Sequence, residues 1–335
     1  MKNKGVIFLL TIYIVFQGNM LYAWGVYGHQ HIIKAAIIAL PAEMGMFFYD
    51  NSNSLVEESI VPDIRKYALK DKSEFPRHYI NLESYHYTSA DAMPQTMKDA
   101  LAIYNKDSMQ KYGILPWYMQ EMMNKLTIAF KNKNKTDIIL LAGDLSHYIA
   151  DAHMPLHTSI NHNGQYTGQK DIHAFWESQL PEMFGDSYNY YTGEVHYIAN
   201  ITQATWHIVE RSHMLADTML NIERKLRKEF PQDKVYSMDA EGKMIKSKYG
   251  QSVFSNAYAT EYHKRLNGMV EAQMRAAIQM TADFWYTAWI NAGKPDLDDL
   301  NPTTTKDEDS RKYMEELKEW KRGKLTGLKI NREYK

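Results

Sequence analysis

Residues 144–177 read DLSHYIADAHMPLHTSINHNGQYTGQKDIHAFWE, and they contain two histidine–carboxylate pairs separated by one helical turn. On an α-helix, residues four apart lie on the same face, so each pair presents an imidazole and a carboxylate together. Such a pair is half of a binding site for a divalent metal, most naturally zinc. A further histidine, His157, lies between the pairs. It favours a metal site over the alternative, in which these side chains only hydrogen-bond to one another. The pairs are His147 with Asp151 and His173 with Glu177.

The first pair belongs to a strongly apolar segment. Residues 137–152 are apolar around nearly the whole helical circumference, which predicts a central, buried helix. Asp144, His147 and Asp151 lie on this helix. A buried carboxylate is costly unless it is paired or binds a metal, so these side chains need partners. For Asp144 the alternative is a contact that orients a metal-binding histidine.

A polar loop separates the two pairs. Residues 158–171 are rich in Asn, Gly, Gln and Thr, which indicates a mobile segment that forms one wall of a cleft. His162 lies on this loop and is expected to be exposed to solvent. A new helix is predicted to begin near Asp171 and to carry the second pair.

Helical periodicity also dominates the rest of the chain. Apolar residues recur at every third or fourth position in several long segments, and proline or glycine follows most of them. The prediction is an all-α fold, a single compact multi-helix bundle with long connections. The further predicted helices cover residues 32–40, 97–104, 117–130, 197–230 and 257–291.

The N-terminus has the pattern of a targeting segment. Lys2 and Lys4 precede an apolar run at residues 6–16, and Ala23 offers a small residue for cleavage. The apolar run is short for a membrane span, which favours a signal peptide over an anchor. Residues 1–23 are therefore predicted to be a signal peptide, and the protein to be exported, to a periplasm or out of the cell.

No linker or repeat divides the remainder of the chain. Residues 24–296 are predicted to form the catalytic domain, with a small hairpin at residues 239–242. Residues 297–335 form a highly charged C-terminal tail. This tail is expected to be solvated, apart from a surface helix at residues 315–322.

Composition excludes several classes of protein. The chain has 335 residues, 44% of them hydrophobic, and this is enough for one large globular core. It contains no cysteine, so disulfides, thiolate zinc fingers and a cysteine nucleophile are excluded. Any zinc must therefore be held by nitrogen and oxygen. The formal net charge of −1 argues against a protein that reads duplex DNA, since such proteins carry a basic footprint.

Four earlier residues extend the candidate metal site. If the signal peptide is removed, Trp24 becomes the first residue, and its free amine and carbonyl oxygen could chelate a metal. His29 and His78 supply imidazoles, with solvated surface histidines as the alternative. Asp63 follows a proline, and a helix-capping role is the alternative to metal binding for its side chain. About nine ligand groups then suit three metals, at three or four protein ligands per catalytic zinc and with Asp151 bridging.

The combined pattern resembles the zinc-dependent phospholipase C superfamily, which includes the secreted three-zinc single-strand nucleases of the S-one/P-one type. The resemblance extends from residue 24 to about residue 180 and includes HYIADAHMPLH and HAFWE. It implies three zinc sites, with Asp151 in two of them. The implied ligands are Asp63, His78, His147 and Asp151 at the first site; His157, His173 and Glu177 at the second; and Trp24, His29 and Asp151 at the third.

Details of the pattern divide between the two branches of this superfamily. Glu177 instead of aspartate, and the short separation of His157 from His173, resemble the phospholipases. The close spacing of Trp24 and His29 resembles the nucleases, although those often contain disulfides. Ala150 replaces the glycine or threonine that is usual in the phospholipase signature. The balance favours a phospholipase C-like enzyme slightly.

The resemblance implies hydrolysis of a phosphodiester by zinc-activated water. Asp63 would orient the attacking water as well as bind metal. Lys66 or Arg65 would offset negative charge on the phosphate, with a surface ion pair as the alternative. The substrate would be a phospholipid head group, reached by peripheral membrane contact, and the enzyme a monomer. The alternatives are a single-strand nuclease or nucleotidase with an aromatic base-stacking pocket and a non-catalytic, exported zinc-binding protein.

Overall fold

The computed structural model describes residues 24–87, 89–248, 250–301 and 307–330. The predicted signal peptide lies outside the described residues. Within the described ranges the regular structure is helical, with only isolated bridges between residues 236 and 254, so the predicted all-α fold is confirmed. The α-helices are α1 Gly25–Ala39, α2 Ala42–Asp50, α3 Ser52–Glu58, α4 Val61–Asp63, α5 Met97–Ile103, α6 Lys106–Tyr112, α7 Leu115–Lys131, α8 Lys135–Ala152, α9 Ile172–Ala174, α10 Leu180–Phe184, α11 Ile201–Glu229, α12 Asn256–Arg265, α13 Met269–Asn291 and α14 Asp307–Lys321.

Helix α8 is the centre of the bundle, and it packs against α7, α13, α3 and α1. The indole Nε1 of Trp285 on α13 donates a hydrogen bond of 3.1 Å to the carbonyl of Ala142, inside the core. The second half of α8 is buried, but Leu140 in its first half is 44% exposed. The prediction of a helix buried all round is therefore wrong for the first turns. The buried half is the one that carries His147 and Asp151.

Local backbone interactions explain two differences between the predicted and the observed helices. The predicted helix at residues 257–291 is interrupted after α12, where Asn267 and Gly268 have φ values of 50° and 80°. Residues in this left-handed region end a helix. Helix α6 was not predicted, and it begins where the Asn105 side chain accepts a hydrogen bond from the backbone N–H of Ser108.

The C-terminal segment packs on the bundle, which contradicts the expectation that it is mostly solvated. Helix α14 contacts α1, and the chain after it continues along the surface of the bundle. Leu325 and Leu328 are buried, and the carbonyl of Leu325 accepts a hydrogen bond from the N–H of Tyr190. On α14, Tyr313, Leu317 and Trp320 recur at helical spacing and pack against the core, so the contact surface follows an apolar stripe that the high charge of the segment obscured.

Short, irregular helices bring the candidate site residues to the end of α8. Asp63 is followed directly by a π-helix at Ile64–Ala68. The other three segments are 3₁₀ helices at Phe75–His78 and Pro155–Thr158 and a π-helix at Phe175–Gln179. π-Helical turns are frequent at functional sites. Among the described residues, no helix combines the length and the apolar composition that a membrane span requires.

Candidate metal centre

The first group of predicted ligands lies where α8 meets two short helices. His147 and Asp151 are one turn apart on α8, and their Nε2 and Oδ2 atoms are 3.3 Å apart. His78 Nδ1 lies 2.9 Å from Asp151 Oδ2 and 3.1 Å from His147 Nε2. Asp63 Oδ1 is 3.7 Å from His78 Nδ1. All four side chains are buried, so the structure brings together the complete predicted first set.

The second group is adjacent to the first. His173 Nε2 lies 3.0 Å from Glu177 Oε1, across the junction of α9 with the following π-helix. His157 Nε2 lies 3.2 Å from His173 Nε2 and 3.7 Å from Glu177 Oε2. The other ring nitrogen of His157 is 3.7 Å from Asp151 Oδ2. Asp151 therefore lies beside both groups.

The third predicted group forms around the start of α1. His29 stacks on His147 with 3.9 Å between ring centroids, and its Nε2 faces Asp151 Oδ1 at 3.6 Å. Trp24 is completely buried, and its backbone nitrogen donates to Glu177 Oε2 at 3.0 Å. The Trp24 nitrogen thus contacts the metal centre at Glu177, a member of the second group. Its carbonyl oxygen accepts the first hydrogen bond of α1, from Gly28.

Backbone carbonyls orient three of the histidines. The Nδ1 atoms of His147, His157 and His173 lie 2.6–2.8 Å from carbonyl oxygens. A carbonyl can only accept, so Nδ1 carries a proton in each ring, and in the neutral form of the ring Nε2 keeps its lone pair. Each bare Nε2 points into the centre, and this arrangement is typical of metal-binding histidines. The acceptors are the carbonyls of Ser59, His78 and His162, respectively.

Burial controls the charge state of these groups. It lowers the pKa of His147 to about 3 and that of His157 well below its usual value, so both imidazoles are neutral. Burial raises the pKa of Asp151 and of Glu177. For His173 burial acts in the same downward direction, but the Glu177 carboxylate outweighs it and raises the pKa. Neutral imidazole is the form that binds a metal.

The residues fit a cluster of zinc ions. Asp151 Oδ1 is buried and has no hydrogen-bond partner within the described ranges, which is costly unless another ligand meets it. The donors are imidazole nitrogens and carboxylate oxygens, a set that suits zinc. A cation bound between Asp151 and its neighbours would give Asp151 Oδ1 a partner and would use this set of nitrogen and oxygen donors.

A cleft of about 380 Å³ opens onto the metal centre. One of the two basic side chains predicted to contact the phosphate lies in this cleft. Lys66 lines this cleft and is 8% exposed, with its ammonium 4.7 Å from the ring centroid of Tyr67. Arg65 instead donates to Asp144 and Glu74, so it faces away from the cleft. Of the two candidates for phosphate contact, Arg65 and Lys66, only Lys66 therefore lies in the cleft. Asp144, for which the sequence left a metal and a ligating histidine as alternative partners, pairs with Arg65 instead.

Two residues at the site escaped the sequence analysis. Burial and the nearby carboxylates, Asp63 first among them, raise the pKa of Tyr67 well above its usual value, so its hydroxyl remains protonated beside the cluster. Glu74 is fully buried behind His78. Burial would raise the pKa of Glu74, but His78, Tyr148 and Arg65 together hold it well below its usual range. Tyr67 lies in no motif. Glu74 is four residues before His78, the spacing of the other two histidine–carboxylate pairs, and this spacing could have identified it.

Comparisons with known proteins identify a family for this chain. Residues 24–294 match a family model described as S1/P1 nuclease, which covers most of the chain and all nine predicted ligands. The chain is similar to Endonuclease 2 from Arabidopsis thaliana, with 26% identity over 209 residues. That match covers 55% of this chain and 65% of the plant protein. The chain belongs to the S1/P1 nuclease family, a family of zinc-dependent, phosphodiester-hydrolysing enzymes.

Proposed function

We propose that this protein is a zinc-dependent nuclease that hydrolyses phosphodiester bonds of single-stranded nucleic acid. The observation that carries the proposal is the cleft, where aromatic side chains lie directly beside the candidate metal ligands. The family comparison supports the nuclease alternative better than the phospholipase C-like function that the sequence favoured. We therefore do not retain the phospholipid substrate or the membrane contact as the leading hypothesis.

The ligands would be divided among three zinc ions, as the sequence suggested. Asp63, His78, His147 and Asp151 would hold the first ion, and His157, His173 and Glu177 the second. Trp24, His29 and Asp151 would hold the third after removal of residues 1–23. Bound zinc would polarise the phosphate and lower the pKa of a water molecule toward neutrality.

Side chains of the protein would orient the water and the phosphate for the reaction. In the hydrolysis, a water oxygen forms a bond to phosphorus, the bond to the leaving ester oxygen breaks, and a proton of the water ends on that oxygen. The Asp63 carboxylate can orient the water by accepting its hydrogen bond. Lys66 can donate to a phosphate oxygen as negative charge accumulates there, in a buried position where a charge acts strongly.

The aromatic wall of the cleft supports a substrate with unpaired bases. Tyr67, Phe75 and Tyr79 line the cleft together with the amide of Asn81. Aromatic faces stack on bases with little regard to sequence, and this contact requires bases that are free of a duplex. The ring of Phe75 is 40% exposed, which leaves it accessible to a base. Asn81 offers a donor and an acceptor for a base edge.

Substitution of Lys66 by methionine is expected to reduce kcat by about 100-fold, with a smaller change in KM, because the charge acts mainly on the transition state. Steady-state hydrolysis of a single-stranded oligonucleotide measures this effect. Lys66→Arg should recover part of the rate. Lys72 is exposed and is not among the residues that line the cleft, and Lys72→Met is the matched control, with an expected rate near that of the parent chain. A Lys66→Met enzyme with unchanged kcat would remove this residue from the mechanism.

The substrate class is tested by one panel of assays. The zinc-loaded chain beginning at Trp24 is offered single-stranded DNA, the same sequence as a duplex, RNA and phosphatidylcholine vesicles. We expect rapid cleavage of the single strands, slow cleavage of the duplex and none of the vesicles. Hydrolysis of phosphatidylcholine alone would restore the phospholipase interpretation. No turnover of any substrate would favour a non-catalytic zinc-binding protein.

We also propose that residues 1–23 are a signal peptide and that the protein is exported. The support is the basic, then apolar, pattern of these residues and the burial of Trp24 beside the candidate ligands. Edman sequencing of protein recovered from the medium or periplasm tests this, with Trp24 as the expected first residue. A chain retained in the cytoplasm with its original Met1 would contradict the proposal. We expect the exported protein to be a monomer.

A further inference from the structure

Glu74 is a buried carboxylate in direct contact with one candidate metal ligand. Its Oε1 atom lies 3.4 Å from Nε2 of His78, the ring nitrogen on the side away from the metal centre. The other nitrogen of His78, Nδ1, faces Asp151 Oδ2 at 2.9 Å, inside the first ligand group. The imidazole therefore connects Glu74 to the centre.

Glu74 is itself held in place by several charged and polar groups. Arg65 Nε and Arg77 Nη1 donate to its Oε2 at 3.0 and 2.9 Å, respectively. The hydroxyl of Tyr148 donates to its Oε1. Two guanidinium groups and a phenol stabilise the carboxylate as an anion, and without such partners burial of the charge would be strongly unfavourable. Glu74 is thus a fixed anion behind His78, 3.4 Å from Nε2.

Among the candidate ligands, His78 differs in orientation from His147, His157 and His173. Those three donate from Nδ1 to a backbone carbonyl and present Nε2 to the centre. His78 presents Nδ1, and its Nε2 faces a carboxylate. A neutral imidazole carries a single N–H, and both ring nitrogens of His78 face a carboxylate, Nδ1 at 2.9 Å from Asp151 and Nε2 at 3.4 Å from Glu74. A cation bound to Asp151 would leave Glu74 as the acceptor for that proton, and the proton would then lie on Nε2. The lone pair of Nδ1 is then available to a metal.

We propose that Glu74 is a positioning residue that selects the metal-binding tautomer of His78 and thereby tightens zinc binding at the first site. Arg65, Arg77 and Tyr148 support this role by fixing the carboxylate. The inference rests on the metal centre of the proposed function, and it concerns only one of the three sites. A carboxylate behind a ligating histidine raises the basicity of the ligand, and its loss typically weakens metal affinity by about 10–100-fold.

The test is zinc titration of Glu74→Gln in competition with a chelator, using the chain that begins at Trp24. We expect one zinc to bind about 10–100-fold more weakly than in the parent, while the other sites are unchanged. The matched control is Glu223→Gln. Glu223 is also fully buried and is also bound by an arginine and a tyrosine, Arg227 and Tyr258, and it is not among the candidate ligands or the residues that line the cleft. Its substitution should leave zinc affinity unchanged.

Each outcome has a definite reading. Parent-like zinc affinity in folded Glu74→Gln, or equal weakening in Glu223→Gln, would overturn the role of Glu74. If Glu74→Gln does not fold, Tyr148→Phe decides, since it removes one contact and keeps the carboxylate. A weaker single zinc in that variant supports the inference, and unchanged binding overturns it. If the parent chain itself binds no zinc, the proposed function fails, and this result is distinct from failure of the Glu74 inference alone.

Discussion

Substitution of Asp151 by asparagine is expected to reduce phosphodiester hydrolysis by at least about 100-fold, because loss of an outer partner of a ligand already costs up to about that factor. One oxygen of Asp151 lies among His78 and His147, and the other faces His29. A single carboxylate therefore serves two of the three predicted sites. Asparagine has the same shape but no charge and only one acceptor oxygen.

Zinc content and activity should fall together in the Asp151→Asn variant. Bound zinc per chain, measured by atomic emission, should decrease by more than one ion. Asp283→Asn is the matched control, because Asp283 is buried and accepts hydrogen bonds from His196 and Gln279 outside the ligand groups. It should keep its zinc and its rate. An Asp151→Asn enzyme with full zinc content and full activity would show that Asp151 does not bridge two sites.

Retention of a single alanine before Trp24 is expected to remove the third zinc and to lower activity by at least about 10-fold. The Trp24 nitrogen lies 3.0 Å from Glu177, and the indole is anchored by a hydrogen bond of 2.5 Å to the carbonyl of Ala150. In the extended chain this nitrogen is a peptide N–H, which has no lone pair to offer a metal. In the processed chain it is an amine, which can bind one.

The comparison requires two purified proteins that differ only at the N-terminus, with zinc content and oligonucleotide cleavage measured for both. A third protein with one alanine added after Lys335 controls for the extra residue, and it should behave as the parent. Three zinc ions and full activity in the chain extended before Trp24 would exclude the terminal amine as a ligand. The contact of Trp24 with Glu177 would then be only a hydrogen bond to a candidate ligand of the second site.

The central helix and the ligand pairs were predictable from the sequence because both follow from local periodicity. His147 and Asp151 share a face of α8 by spacing alone, and the apolar residues around them require that face to be buried. The same holds for His173 and Glu177, although the structure places them at a junction with a π-helix. Contacts within one turn need no knowledge of the fold.

The orientation of the histidines could not be predicted, because it depends on contacts between distant segments. The carbonyl that fixes His147 belongs to Ser59, 88 residues earlier. The carboxylate behind His78 is close in sequence, but its supports come from α8 and from the helix that follows Asp63. Arg65 and Lys66 are adjacent in the chain and face different surroundings, and composition alone does not separate them.

The substrate was the least predictable feature. Glu177 and the short segment between His157 and His173 favoured a phospholipase C-like enzyme, and both belong to the ligand scaffold. In the proposed nuclease, substrate preference would depend instead on the wall of the cleft, to which Tyr79 and Phe75 contribute from a segment without regular periodicity. The match to the nuclease family over residues 24–294 adds the information that these local patterns lack.

The most direct test of the metal-dependent mechanism is the rate of single-strand cleavage before and after removal of zinc. The chain beginning at Trp24 is assayed on one oligonucleotide as purified, after dialysis against a chelator, and after zinc is added back. We predict that the rate is lost on dialysis and restored as zinc returns toward three ions per chain. Full activity in protein that contains no metal would contradict the account, because the buried ligands would then have no catalytic role.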